Sequence, residues 1–217
     1  NLITNFGGLN PPIIHGLLRE GETMNIIAAP KVGKSWLVNS LSISIATGLD
    51  WLGFKVEQGS VLVIDNELHV NTITYRYMEL AKAMKLNPKL FSQQVKIKSL
   101  RGQLKDLMAL SQYFQRLVPN TYKVIILDAF YRTLPDKTDE NDNGAIARLY
   151  NSLDCHAMRL NCAFVLIHHT SKGNQSQKSI TDVGAGAGSQ SRAVDTHVIL
   201  RPHEDEDKIV MDAAVRS

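Results

Sequence analysis

The sequence predicts an α/β fold, a mostly parallel central sheet flanked by helices. Short β-branched apolar runs alternate with longer stretches of helical period from end to end, the pattern of repeated strand-helix units. The 217 residues suffice for one buried core and are short for two. In chain order, the predicted strand Thr23 to Ala28 precedes a helix over Lys34 to Thr47, and the strand Ser60 to Asp65 precedes a helix over Val70 to Leu86. Val95 to Lys98 and Leu104 to Val118, Lys123 to Asp128 and Gly144 to Leu160, and the strand Ala163 to His168 continue the alternation. The helices carry apolar residues three and four apart. The strands, by length and β-branching, read as buried and central. Thr196 to Leu200 and Ile209 to Val215, separated by Pro202 and the acidic Glu204 to Asp207, predict an antiparallel hairpin at a sheet edge.

Composition narrows the function classes. At 44% hydrophobic and 21% charged residues, with a mean hydropathy of −0.12, the chain is not a disordered one. No apolar run reaches membrane-spanning length. Twenty-four Lys and Arg against 21 Asp and Glu leave +3, so bulk charge does not make nucleic acid the default partner, and any basic surface is local. Cys155 and Cys162 cannot form a disulfide framework, and the chain opens at Asn1 without a leader pattern, which predicts a reducing, cytoplasmic setting. Residues 1–217 read as one domain. The missing initiator Met and the last strand running straight into Ser217 are expected of a core excised from a longer chain. Tyr131 to Asn143, polar and acidic, and Ser171 to Ser191, rich in Gly, Ser, Gln and Ala, are longer than ordinary loops, and the second is expected to be flexible. Lys82 to Lys105 holds seven basic residues and no acid, read as a solvated helix surface.

The chemistry begins at Ala28-Ala29-Pro30-Lys31-Val32-Gly33-Lys34-Ser35, which follows a predicted strand and opens a predicted helix. That context turns GxxxxGK[ST] into a phosphate-binding loop, with Ala28 standing where the first glycine belongs. Ala29, Pro30, Lys31, Val32, Gly33, Lys34, Ser35 and Trp36 are the candidate nucleotide-binding residues, with the backbone N–H groups around Lys31 to Ser35 forming the cradle at the positive end of the helix dipole. Lys34 would reach the β- and γ-phosphates of ATP, and Ser35 would supply a hydroxyl to Mg²⁺. Asp128, ending a buried strand, is the candidate metal-side carboxylate. Glu67, just past the strand Ser60 to Asp65, is the candidate to orient the attacking water, with Asp65 a weaker competitor.

These pieces, in this order, resemble the RecA-like ATPase core, in the branch of the RepA-type hexameric replicative helicases. The resemblance rests on APKVGKS at Ala29 to Ser35, IDNE at Ile64 to Glu67, ILDAFYR at Ile126 to Arg132, LIHHTSKG at Leu166 to Gly173 and GAGSQSRAVD at Gly186 to Asp195. It implies that Glu67 is the catalytic glutamate, Asp128 the Mg²⁺-side aspartate, and His169 a sensor of the γ-phosphate. It also implies a nucleotide bound between subunits, with an arginine from the neighbour; Arg201 and Arg192 are the candidates, and Arg132 a third. Adjacent histidines on a strand point to opposite faces, so His168 and His169 are a poor pair of ligands for one ion.

In rings of this kind DNA meets two loops, after the Asp128 strand and after the His169 strand, where the two long loops 131–143 and 171–191 fall. Lys172 and Lys178 could contact phosphates of single-stranded DNA. The second loop lacks the aromatics on which bases stack, and the first is acidic beyond Arg132. Two readings follow: an ATP-driven helicase or translocase on single-stranded DNA, working as a homo-oligomeric ring, and an ATP-gated regulatory or DNA-binding switch without unwinding activity.

Overall fold

A computed structural model describes residues 3–30, 32–103, 106–134, 142–170, 192–205 and 207–216. Lys31, most of the acidic stretch of the first long loop, and the second long loop with Lys172 and Lys178 lie outside the described residues.

Nine strands and four α-helices follow one another in the order β1 (Pro12–Ile14), β2 (Leu18–Arg19), β3 (Thr23–Ala28), α1 (Lys34–Thr47), β4 (Val61–Asp65), α2 (Val70–Ala83), β5 (Val95–Ser99), α3 (Leu107–Gln115), β6 (Val124–Asp128), α4 (Asn143–Leu160), β7 (Ala163–His169), β8 (Thr196–Pro202) and β9 (Ile209–Val215), counted among the described residues. Seven of the strands form one sheet in the order β5-β4-β6-β7-β3-β8-β9. Every neighbouring pair is parallel except β8 with β9. The α/β prediction and the terminal hairpin at a sheet edge are thus what the chain adopts.

Alternation along the strands builds two cores, one on each face. On β6, Val124 and Ile126 join β4 residues Val61 and Val63 beneath α1 and α2, while Ile125 and Leu127 join Leu62 and Ile64 beneath α3 and α4. A strand buried on both faces has no polar side, which is why these runs carry no period of two. Helix α1 lies deep between sheet and α2, and its serines bond within the helix: Ser40 Oγ donates to the Leu37 carbonyl and Ser42 Oγ to the Asn39 carbonyl, both at 2.7 Å. Asp106 and Asp142 cap α3 and α4 by accepting from backbone amides of their first turns.

The chain departs from expectation at its edges. β5 is an edge strand rather than a central one: Lys96 and Ile97 are exposed and only Val95 is buried. A lysine on an edge strand discourages pairing with another chain. The basic stretch is accordingly no helix surface; it runs from the end of α2 through a short 3₁₀ turn at Pro88–Leu90 and along this edge. The hairpin of β1 and β2, which local sequence pattern does not predict, seals the bottom of one core with Ile13, Ile14 and Leu18.

Candidate active site

In a parallel sheet the strand ends at the carboxyl edge converge, and the crevice beyond them is where such folds bind ligands. Ala28 on β3 pairs with His169 on β7, and Asp65 on β4 pairs with Asp128 on β6, so the candidate residues sit at one level. Their positions follow from strand register alone.

The phosphate loop leads from β3 into α1. Gly33 caps the helix with φ of 88°, in the left-handed region. Among the described residues a Cβ there would meet only Ile209 Cδ1, at 3.8 Å, so conformation rather than space requires glycine. Ala28 is different: it is still a β3 strand residue, in register with Leu200 as well as His169, where a side chain costs nothing. This accounts for the missing first glycine. The first turn of α1 has no side-chain cap and no acid, which leaves its amides to a ligand. Trp36 is 37% exposed and lies beneath the Arg76 guanidinium, 5.4 Å from its ring centre.

Lys34 is 7% exposed and reaches across to β7, donating to the His168 carbonyl at 2.7 Å and lying 3.0 Å from His169 Nδ1. Burial brings its ammonium down to about 8, against the attraction of Asp128 and Glu67. Nδ1 of His169 thus faces the Lys34 ammonium, while its other ring nitrogen, Nε2, lies 3.6 Å from Glu67 Oε1. Glu67 also accepts from the Tyr131 hydroxyl at 2.9 Å and lies 3.7 Å from Arg132 Nε. His169 first, then Tyr131 and Arg132, hold its carboxyl at about 2, against the opposing pull of burial. Glu67 is therefore a carboxylate throughout the neutral range.

Asp65 is set apart from that role by its own turn. Its Oδ1 accepts from the amides of Glu67 and Leu68, both at 2.8 Å, so it shapes the backbone that presents Glu67. Asn66 ties the two strand ends together: its backbone N–H donates to the Asp128 carbonyl at 2.8 Å, and its side-chain Oδ1 accepts from Ala129 N at 2.9 Å.

Asp128 is buried, and its Oδ1 has no hydrogen-bond partner among the described residues. Burial, then the charges of Asp65 and Glu67, push it up to about 6, while Lys34 and a hydrogen bond from Ser35 pull the other way. An orphaned carboxylate oxygen beside a serine hydroxyl, in a crowd of acids, fits a divalent cation. Among the described residues no three His, Cys, Asp or Glu side chains group so as to hold a metal ion by themselves.

A family model described as an AAA domain matches residues 10–175, more than half of the chain. The chain belongs to the AAA domain family. Its structure is similar to a solved one whose title describes an ATPase domain, with a TM-score of 0.65 and 11% identity, over 96% of this chain and 86% of that one. At that identity the likeness concerns the fold, which is that of a RecA-like P-loop ATPase domain. In this AAA domain Lys34, Ser35, Glu67, Asp128 and His169 are brought together.

Arg201 and Arg192 are not gathered with them. Arg201 lies at the end of β8, next to Pro202, near the same sheet edge, but its Nε lies 3.5 Å from Asp212 on β9 and its side chain is 19% exposed. Arg192 precedes β8 at the opposite end of the sheet, where its carbonyl accepts from Arg216. Arg132, the third candidate, is the one placed against Glu67. Tyr131 has no role assigned from sequence; its position three residues beyond the candidate metal-side aspartate, in ILDAFYR, is the signal that could have found it. No helix among the described residues is long and apolar enough to cross a membrane.

Proposed function

We propose that this ATPase domain is the motor of a RepA-like hexameric helicase or related translocase acting on single-stranded DNA. The observation that supports it best is the convergence of Lys34, Glu67, Asp128 and His169 at the carboxyl ends of four adjacent strands and loops. Lys34 would neutralise the β- and γ-phosphates, Glu67 would orient the attacking water, and His169, bridging both, would report loss of the γ-phosphate as its two partners move apart. Mg²⁺ held by Ser35 and Asp128 would neutralise charge on the phosphate oxygens. A neighbouring subunit would bring Arg201 or Arg192 to the nucleotide. Loops 131–143 and 171–191 are the proposed DNA contacts.

ATPase rate with and without single-stranded DNA, measured alongside the solution mass, tests the reading. Salt-dependent, ATP-sensitive affinity for the strand and a ring-sized mass are expected. No affinity at low salt, with ATPase unchanged by DNA, would sink the motor and leave the ATP-gated switch. Glu67→Gln should bind ATP and lose turnover by about a hundredfold or more. Arg201→Ala subunits mixed with Lys34→Ala subunits should regain activity only if the arginine acts across an interface.

A further inference from the structure

Glu67 is held by more than the strand that precedes it. Tyr131 and Arg132 lie on a short 3₁₀ turn, Phe130–Thr133, that follows β6 directly. The Tyr131 hydroxyl donates to Glu67 Oε1 at 2.9 Å and accepts from Arg132 Nε, also at 2.9 Å. Arg132 is anchored in turn, its Nη1 donating to the Asn66 carbonyl at 3.3 Å. The Tyr131 ring stands edge-on to His169, with centres 5.6 Å apart and planes at 64°. Two hydrogen bonds at the hydroxyl and one ring contact therefore hold this side chain.

The contacts of the Glu67 carboxylate with Tyr131, His169 and Arg132 all fall on Oε1. A carboxylate pinned through one oxygen points the other in a fixed direction, and a misdirected group costs rate even when it is present. The remaining charged groups around Glu67 do not compete for that oxygen: Asp65 and Asp128 repel it, Lys34 attracts it through space, and Arg101, beyond β5, donates to the Glu67 backbone carbonyl at 2.6 Å.

We propose that Tyr131 is a positioning residue for Glu67: its hydroxyl, oriented by Arg132, fixes Oε1 so that Oε2 is presented to the attacking water. The proposal rests on the reading of Glu67 as the water-orienting carboxylate. It gives Arg132 a task within its own chain, acting through Tyr131.

Tyr131→Phe keeps the ring against His169 and removes only the hydroxyl. It should lower kcat about tenfold, the scale of one hydrogen bond to a charged group, while leaving the affinity for a fluorescent ATP analogue and the Tm unchanged. Arg132→Ala should lower kcat as well, and should cost nothing further when added to Tyr131→Phe. A wild-type kcat in Tyr131→Phe, or a loss shared with nucleotide affinity or Tm, would overturn the proposal. Losses that multiply in the double variant would overturn the relay, because Arg132 would then act independently of Tyr131. Glu67→Gln is measured in parallel. Turnover retained there removes the reading of Glu67 itself, whereas an inactive Glu67→Gln beside a wild-type Tyr131→Phe removes this inference alone.

Discussion

His168 and His169 are consecutive on β7, and alternation sends them to two polar clusters on opposite faces. His169 faces the carboxyl-end crevice with Lys34 and Glu67, where Asp128 Oδ1 has no hydrogen-bond partner among the described residues. His168 faces inward: its Nε2 lies 3.1 Å from Asn25 Oδ1 and 3.2 Å from the Tyr150 hydroxyl, which donates to Asn25 at 3.0 Å. Burial, helped by the charges of His197, Lys34 and His169, brings the His168 imidazole down to about 3, so it is neutral where the protein is folded. One cluster is sealed and its groups satisfy one another; the other is open and keeps an acid, a base and a cation in unrelieved proximity. Polar residues in a sheet serve a fold when their demands close on themselves, and serve chemistry when they do not. The His168 carbonyl, which accepts from Lys34, joins the two clusters.

The largest effect should come from the open cluster. Lys34→Ala should abolish nucleotide binding and hydrolysis together, with turnover down on the order of a thousandfold, and should leave the protein folded; calorimetry with ATP and a thermal melt check the two halves. The removal also relieves a buried charge, so a Tm at or above the wild-type value is expected. A Lys34→Ala protein that fails to fold would break the comparison by making the open cluster structural.

A smaller effect, of opposite kind, should come from the sealed cluster. Tyr150→Phe leaves Asn25 and His168 short of a partner in a fully buried place, which costs about 1–3 kcal/mol. Chemical denaturation should show that loss while kcat, measured well below the melting temperature, stays within about twofold. A drop in kcat without loss of stability would show that the sealed cluster governs the site through β7.

The smallest effect sharpens the contrast by pH. A base whose folded value is depressed binds its proton only on unfolding, so His168 lowers stability as pH falls from its ordinary 6.5 towards about 3. Replacing it in His168→Gln should flatten the decline of Tm with acid over that window, even if the Tm at pH 7 is lower. Glu67 behaves with the sign of a depressed acid: its contribution is present above its ordinary 4.5 and is lost as pH falls towards about 2. Glu67→Gln should therefore leave the slope above pH 5 unchanged.

Much of this is legible without coordinates. The strands from Thr23 to His169 and the helix Lys34 to Thr47 stand where local pattern places them, to within a residue; all of these strands but Val95 to Ser99 are apolar runs that bury on two faces. The phosphate loop is legible for a similar reason: its chemistry is local, a glycine in a left-handed turn followed by a lysine and a hydroxyl. Legibility fails where a property depends on a partner. Val95 to Ser99 reads as a strand, but whether it has one neighbour or two is a matter of sheet order, which the run itself does not encode. The hairpin of β1 and β2 is too short, and too interrupted by Pro11, Pro12 and Gly16, to register as two strands.

Spacing and alternation are properties of the chain, so they alone establish which residue types are available to handle a triphosphate and that strands carry them to one edge. Their division of labour comes from the folded arrangement. Asp65 and Glu67 are two residues apart and chemically alike, yet one is consumed by backbone amides of its own turn and the other is clamped by Tyr131, His169 and Arg132 from other elements. Hydrogen-bond geometry and burial, not residue type, separate a carboxylate that builds the loop from one that faces the site, and both are set only when distant strands come into register.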